Sequence, residues 1–194
     1  MFKLYFVAAV LALTVGSGFA VPVKHDEATC SYPNGTETKI HTYNCDGSWP
    51  LMVKDSQVYD SAGNVMYPID PRKAMILDLI SVNNGVVYTD NKVNVKIFSY
   101  GTNWLTGKCE WSKLETFSLL DNIDGCDFAH NCPLQTGDLD LKLPLDLSAF
   151  SAIVNTLASN KPYQLEVRMY DYNQGSGHEE IACVVAQIRF SESG

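Results

Sequence analysis

The architecture of this chain is constrained most strongly by the stretch Gly125-Cys126-Asp127-Phe128-Ala129-His130-Asn131-Cys132-Pro133-Leu134-Gln135. Its two cysteines lie six positions apart, in a segment where Gly125 and Pro133 oppose a continuous helix. Alternating patterns typical of β-strands lie on both sides. In a chain that enters the secretory pathway, this arrangement predicts a small disulfide-closed loop between two strands. We call residues 126–132 the clip.

The N-terminus has the pattern of a secretory signal peptide. Lys3 supplies the positive charge, residues 4–15 are apolar apart from Thr14, and Gly18-Phe19-Ala20 ends the run with small residues where a signal peptidase reads. The run is shorter than the ~20 apolar residues of a membrane span. We therefore predict a signal peptide over residues 1–20 and a single domain over residues 21–194.

The cysteines and one glycosylation sequon are consistent with export through the secretory pathway. All six cysteines lie after residue 20, and an even number in an exported chain predicts three disulfides, with fifteen possible pairings. Export also makes Asn34, in Asn34-Gly35-Thr36, a candidate glycosylation site. The net charge of −8 without any run of Lys or Arg argues against nucleic acid as a partner and against charge-driven adhesion to anionic membranes.

Period-two alternation dominates the remainder of the chain, as in residues 92–97, 138–143 and 163–169. Further strands are predicted over residues 38–45, 57–59, 74–82, 112–119 and 181–190. Turn signals separate them without a linker or internal repeat, which predicts an all-β, immunoglobulin-like sandwich of two antiparallel sheets. Residues 147–160 depart from alternation and form either a short helix or an apolar loop.

The clip resembles that of the ML (lipid-recognition) domain family. Asn131-Cys132-Pro133-Leu134-Gln135 is similar to the version in the Niemann-Pick type C sterol carrier, as is Leu143-Pro144-Leu145. Gly137 followed by Leu141 is similar to the ganglioside activator protein. The outline of the family covers the chain after the signal peptide, and its specific motifs lie around the clip.

The resemblance implies a disulfide pattern. It pairs Cys126 with Cys132 in the clip and the outer cysteines as Cys30–Cys183, which leaves Cys45–Cys109 as the third pair. The chain departs from the sterol carrier in one respect. The carrier has a third cysteine a few residues after its second, whereas residues 46–50 contain none.

The resemblance also implies that the sheets separate along one edge around an apolar lipid-binding pocket. Its lining is expected from the strand before the clip, the strand after it, the following segment and the facing strands, although each residue could equally belong to an ordinary core. The candidate lipid-binding residues are Phe117, Leu119, Leu145, Leu147, Phe150, Ile153, Val154, Leu157, Val95, Ile97, Val167 and Met169. Residues 147–157 are expected at the mouth as a lip that touches a membrane or admits a lipid tail.

Motifs for catalysis or metal binding are absent from the sequence. It has no HExxH, His-x-His, Cys-x-x-Cys or Gly-x-Ser-x-Gly. We therefore expect no enzyme activity, no cofactor and no metal.

Two functions of different class follow. The first is a secreted or lysosomal monomer that binds or transfers a sterol, fatty acid, phospholipid or glycolipid, with transient membrane contact and a receptor or hydrolase as partner. The second is a closed immunoglobulin-like interaction module. For the second, Trp104 and Trp111 beside Cys109 would supply the core tryptophan against a disulfide.

Overall fold

The computed structural model describes residues 30–157 and 161–191. The predicted signal peptide lies outside this range, as do residues 158–160 of the segment after the clip. None of the helices over the described residues is long and apolar enough to cross a bilayer.

Within these residues the chain forms nine named strands, two short α-helices and two 3-10 turns. The strands are β1 (His41–Asn44), β2 (Leu51–Asp60), β3 (Met75–Asn83), β4 (Asn91–Thr102), β5 (Cys109–Lys113), β6 (Ile123–Asp124), β7 (Gly137–Leu145), β8 (Pro162–Asp171) and β9 (Glu180–Arg189). The helices are α1 (Gly125–Ala129) and α2 (Ser151–Leu157), and the 3-10 turns are Pro33–Gly35 and Ser148–Phe150.

The named strands form two antiparallel sheets. The first sheet has the order β1-β9-β8-β4-β5, with β6 paired to the start of β4. The second has the order β2-β3-β7. The all-β, two-sheet sandwich predicted from alternation is therefore confirmed.

The alternation of side chains along each strand explains which residues face the space between the two sheets. Side chains along a strand point to opposite faces in turn. On β3 every second residue, from Met75 through Leu77 and Leu79 to Ser81, points between the sheets and lines the space there. These positions lie opposite a leucine row on β7, in which Leu145 pairs with Met75 and Leu139 with Ser81.

The two long edges of the sandwich differ. At the first edge, Asn44 on β1 hydrogen-bonds the backbone N–H and carbonyl of Val53 on β2, at 2.9 and 2.8 Å. On the same two strands, the hydroxyls of Thr42 and Ser56 lie 2.5 Å apart. Side-chain hydrogen bonds therefore join β1 of the first sheet to β2 of the second. At the opposite edge α1 lies between β4 and β7 and contacts both strands. That second edge is therefore covered by short helical segments.

The clip disulfide Cys126–Cys132 is confirmed, and the other two predicted pairs are wrong. The predicted pairs were Cys30–Cys183 and Cys45–Cys109. In the structure, Cys45 is bonded to Cys183. The register explains this, because Asn44 lies opposite Val184 and the next residue, Cys45, donates its N–H to the Cys183 carbonyl at 2.9 Å.

The third disulfide joins Cys30 to Cys109 at the start of β5. Their Cα atoms are 5.8 Å apart, within the range that a disulfide spans. The Cys30 sulfur also lies 3.4 Å from the Thr102 hydroxyl, and Thr102 is opposite Cys109 in the β4–β5 ladder. Cys30 is therefore bonded to the edge strand β5 and not to Cys183 on the last strand.

The strand predicted over residues 112–119 is wrong beyond Lys113, where β5 ends. Phe117 and Ser118 have φ angles of 50° and 60°, in the left-handed region that a strand cannot contain. Leu114 makes the last backbone bond to Ile97, and the chain then turns away from the sheet. The alternatives for residues 147–160 resolve to the 3-10 turn and α2 over the described part.

Candidate functional site

A cavity of about 330 Å³ lies between the two sheets. This volume is at the lower end of the roughly 300–1,000 Å³ of ligand pockets. Its walls are the inward rows of both sheets, together with α1, α2 and their flanking segments. Over the described residues no charged side chain lines it, and its polar lining consists of Thr42, Ser56, Ser81 and Asn131.

Ten of the twelve predicted residues line this cavity. Four come from the first sheet and six from the end of β7 and the segment that follows it: Val95, Ile97, Val167, Met169, Leu145, Leu147, Phe150, Ile153, Val154 and Leu157. Ile153, Val154 and Leu157 of α2 are buried, so α2 turns its apolar face toward the space between the sheets.

Phe117 and Leu119 do not line the cavity, so their predicted placement is wrong. They are 86% and 53% exposed and border a separate hollow of about 140 Å³ beside Ala152 and Ile153. The left-handed backbone at Phe117 and Ser118 turns this loop outward. These two side chains form an exposed apolar patch next to α2.

Sequence reasoning missed much of the second sheet and all of β9. Nine of the missed positions are alternate residues of strands that had been predicted correctly: Met75, Leu77, Leu79, Leu141, Leu143, Ala182, Val184, Ala186 and Ile188. The alternation that identified those strands also separates inward from outward positions. Applying it to every strand would have found this set.

The clip is anchored to both sheets. On β3, the Asn83 amide nitrogen donates to the carbonyls of Leu134 and Gln135 at 3.2 and 3.1 Å. On β4, the Asn91 amide nitrogen donates to Asn131 Oδ1 at 3.2 Å. Asn83, Asn91 and Leu134 are buried, so these bonds are shielded from water and hold the clip across one end of the cavity.

Glycine is required where the clip begins. A Cβ atom at Gly125 would lie 2.0 Å from Asn91 Oδ1, far inside contact distance. The close approach lets α1 sit directly on the start of β4. Asp124 then caps α1 by accepting from the Asp127 N–H at 3.0 Å, and its carboxylate pairs with Lys92.

An aromatic contact closes the second edge. Phe128 of α1 and Phe150 of the 3-10 turn pack edge to face, with ring centroids 5.5 Å apart and planes at 77°. Both rings line the cavity. The contact joins the clip helix to the segment after β7, and it is the point where these two covering segments meet.

The remaining predicted site is the sequon. Asn34 lies exposed in the 3-10 turn before β1, and its amide nitrogen donates to Gln187 Oε1 at 2.6 Å. The Thr36 hydroxyl is buried and donates to the Pro33 carbonyl at 2.7 Å. Glycosylation of Asn34 stays a prediction.

Asp124, which caps α1 just before the clip, makes the stability of this region depend on pH. Hydrogen bonding to Lys92, then to the Asp127 N–H, holds the pKa of Asp124 below its ordinary value of 3.8. A lowered pKa stabilises the fold above the unfolded value, and this stabilisation is lost as pH falls through the folded value. We therefore expect the unfolding temperature to stay constant from about pH 7 to 5 and to fall below about pH 4.

Thermal unfolding monitored by circular dichroism across this pH range tests the expectation. Asp124→Asn should lower the unfolding temperature at pH 7 and weaken its fall in acid. Asp140→Asn, on an exposed β7 position, is the matched control and should leave the profile unchanged. A wild-type decline already between pH 7 and 5 would contradict the prediction.

Comparisons with protein-family models and with characterised proteins gave no match. Among solved structures, the chain is similar to one described as the crystal structure of the C-terminal domain of wzt. The two share 9% sequence identity over 80% of each chain, with a TM-score of 0.36. This degree of similarity assigns no function, and membership of the ML family stays a prediction.

Proposed function

We propose that this protein is a secreted, non-catalytic lipid-binding or lipid-transfer protein that holds one lipid between its sheets. The observation that carries the proposal is the apolar cavity. An unfilled apolar void destabilises a fold by roughly 24 cal/mol per Å³, which for about 330 Å³ amounts to about 8 kcal/mol. That is of the order of the whole net stability of a domain, about 5–15 kcal/mol. An apolar occupant offsets this penalty.

The cavity constrains the ligand class. Its volume favours one acyl chain or one fused ring system over a lipid with two chains fully enclosed. Each buried methylene contributes about 0.8 kcal/mol of transfer energy from water, and the net gain is smaller because the lipid leaves a membrane. Among the described residues, the walls carry no charge to pair with an ionised headgroup, so a fatty acid, phospholipid or glycolipid would keep its headgroup outside.

Two further observations support the proposal. The clip sequence is similar to that of the ML family, whose members bind lipids, although the pairing of Cys45 with Cys183 departs from the pattern that the resemblance implied. The three disulfides are consistent with an extracellular or lysosomal location.

The alternative, a closed interaction module, has weaker support. Its hallmark is a core tryptophan packed against a disulfide between the sheets. Trp104 is 91% exposed, and Trp111 lies on the edge strand β5 against Tyr100. Cys183 lies between Ala182 and Val184 on β9, which both line the cavity. Because side chains alternate along a strand, Cys183 and its bond to Cys45 lie on the outer face of the first sheet and not between the sheets.

Native mass spectrometry of the secreted protein, followed by lipid extraction, tests the proposal. We expect a co-purifying lipid near one-to-one stoichiometry, and uptake of a fluorescent sterol or fatty acid by the delipidated protein. The absence of both would overturn lipid binding and favour the interaction module.

The lip is tested separately by Phe150→Asp. A carboxylate beside Phe128 would have to be desolvated whenever a lipid passes this contact. We expect uptake from vesicles to fall roughly tenfold, equivalent to about 1.4 kcal/mol, with the fold retained. Asn155→Asp, on the exposed side of α2, is the matched control. If Phe150→Asp changes neither folding nor uptake, residues 147–157 are not a lip.

A further inference from the structure

The Ser81 hydroxyl is a buried polar group on the cavity wall. Ser81 is 2% exposed, and its hydroxyl oxygen has no hydrogen-bond partner within residues 30–157 and 161–191. Ser81 follows three apolar residues in the inward row of β3, and it faces the same cavity as they do. Buried hydroxyls in native proteins are nearly always paired, so an exception at a cavity wall points to a ligand.

The surroundings of Ser81 offer it no substitute. Its register neighbours are Leu139 on β7 and Val53 on β2, both with apolar side chains. The other two hydroxyls of the cavity wall, on Thr42 and Ser56, bond to each other. Ser81 is therefore the lining hydroxyl, among the described residues, that is left for an occupant of the cavity.

Ser81 lies near one end of the inward row of β3. Asn83 is two residues further along β3 on the same face, and its amide holds Leu134 and Gln135 just after the clip. The opposite end of the same β3 row is Met75, which pairs with Leu145, the residue from which the chain continues into the lip. A group bound to Ser81 is thus at the far end of the row from Met75.

The chemistry of this end selects an uncharged group. The lining holds no Lys, Arg or His over the described residues, so an ionised headgroup would be buried without a counter-charge. A serine hydroxyl both donates and accepts, and so it matches another hydroxyl. Building on the proposed function, we propose that Ser81 binds the hydroxyl of an uncharged lipid alcohol, whose apolar body extends toward Met75 and Leu145.

The test compares a matched pair of ligands, 1-dodecanol and dodecane, by displacement of N-phenyl-1-naphthylamine from the delipidated protein. We expect wild type to prefer the alcohol, and Ser81→Ala to weaken alcohol binding roughly fivefold to tenfold while changing dodecane binding less than twofold. Because the hydroxyl has no hydrogen-bond partner among the described residues, Ser81→Ala should not lower the unfolding temperature of the ligand-free protein. Ser112→Ala, the same change on an exposed position of β5, should alter none of these values.

Three results would overturn the inference. If Ser81→Ala weakened the binding of both ligands equally, or if wild type showed no preference for the alcohol, Ser81 would not recognise a hydroxyl. A lower unfolding temperature of ligand-free Ser81→Ala with unchanged ligand preference would give the hydroxyl a structural role. These leave lipid binding intact, whereas failure of wild type to bind the dye or either ligand would overturn the proposed function as well.

Discussion

Val167→Trp is expected to abolish lipid uptake while the protein still folds. Val167 lies on β8 between Val95 on β4 and Val184 on β9, and all three line the cavity. Overpacking a filled core is destabilising because no room exists for the added atoms. Here the added indole can enter the space of about 330 Å³ that the lipid would occupy. We expect affinity for a fluorescent fatty acid or sterol to fall at least about a hundredfold, equivalent to about 2.7 kcal/mol.

Titration of the fluorescent lipid, together with circular dichroism and thermal unfolding, measures this effect. Val65→Trp is the matched control, because Val65 is 59% exposed and lies outside the cavity lining. A folded Val167→Trp protein with wild-type uptake would place the lipid somewhere else on the molecule. Loss of uptake in both variants would also contradict the prediction.

Removal of the Cys45–Cys183 disulfide is expected to have the largest effect on stability. The bond joins cysteines separated by 138 residues, and in the chain-entropy model a loop of this length contributes about 5 kcal/mol. The clip bond spans a separation of six residues and contributes about 2 kcal/mol in the same model. For a domain of this size, a loss of about 5 kcal/mol lowers the unfolding temperature by about 10–20 °C.

The comparison uses the double variants Cys45→Ala/Cys183→Ala and Cys126→Ala/Cys132→Ala, each measured by thermal unfolding. Peptide mapping without reduction checks the pairing directly and should recover Cys30 linked to Cys109. Recovery of a Cys30–Cys183 peptide would contradict the structure. A smaller loss for Cys45→Ala/Cys183→Ala than for the clip variant would contradict the entropic argument.

Local pattern was enough to predict most of the sandwich. Residues 92–97, 138–143 and 163–169 alternate because each strand has one wet and one buried face, and this is readable without knowing the partner strand. The clip was predictable for a similar reason, since a bond between Cys126 and Cys132 depends on a short stretch of chain. The helical spacing of Ile153, Val154 and Leu157 likewise indicated α2 as one of two alternatives.

The failures have different causes. Cys45 meets Cys183 because β1 pairs with β9, a contact between distant segments that spacing does not encode. Phe117 points away from the cavity because the backbone turns left-handed there, although its residue type suits a strand. The first outcome depends on which strands pair, and the second on a backbone turn that the residue type does not reveal.

Most strand positions, the clip and the apolar character of the interior could thus be derived from residue order, because they depend on near neighbours and on the partition of side chains between water and core. The disulfide topology, the cavity and the unpartnered hydroxyl of Ser81 depend on how far the two sheets stand apart and on which rows face each other. These are properties of the packed molecule, since a void or an unmet hydrogen bond exists only once all its walls are in place.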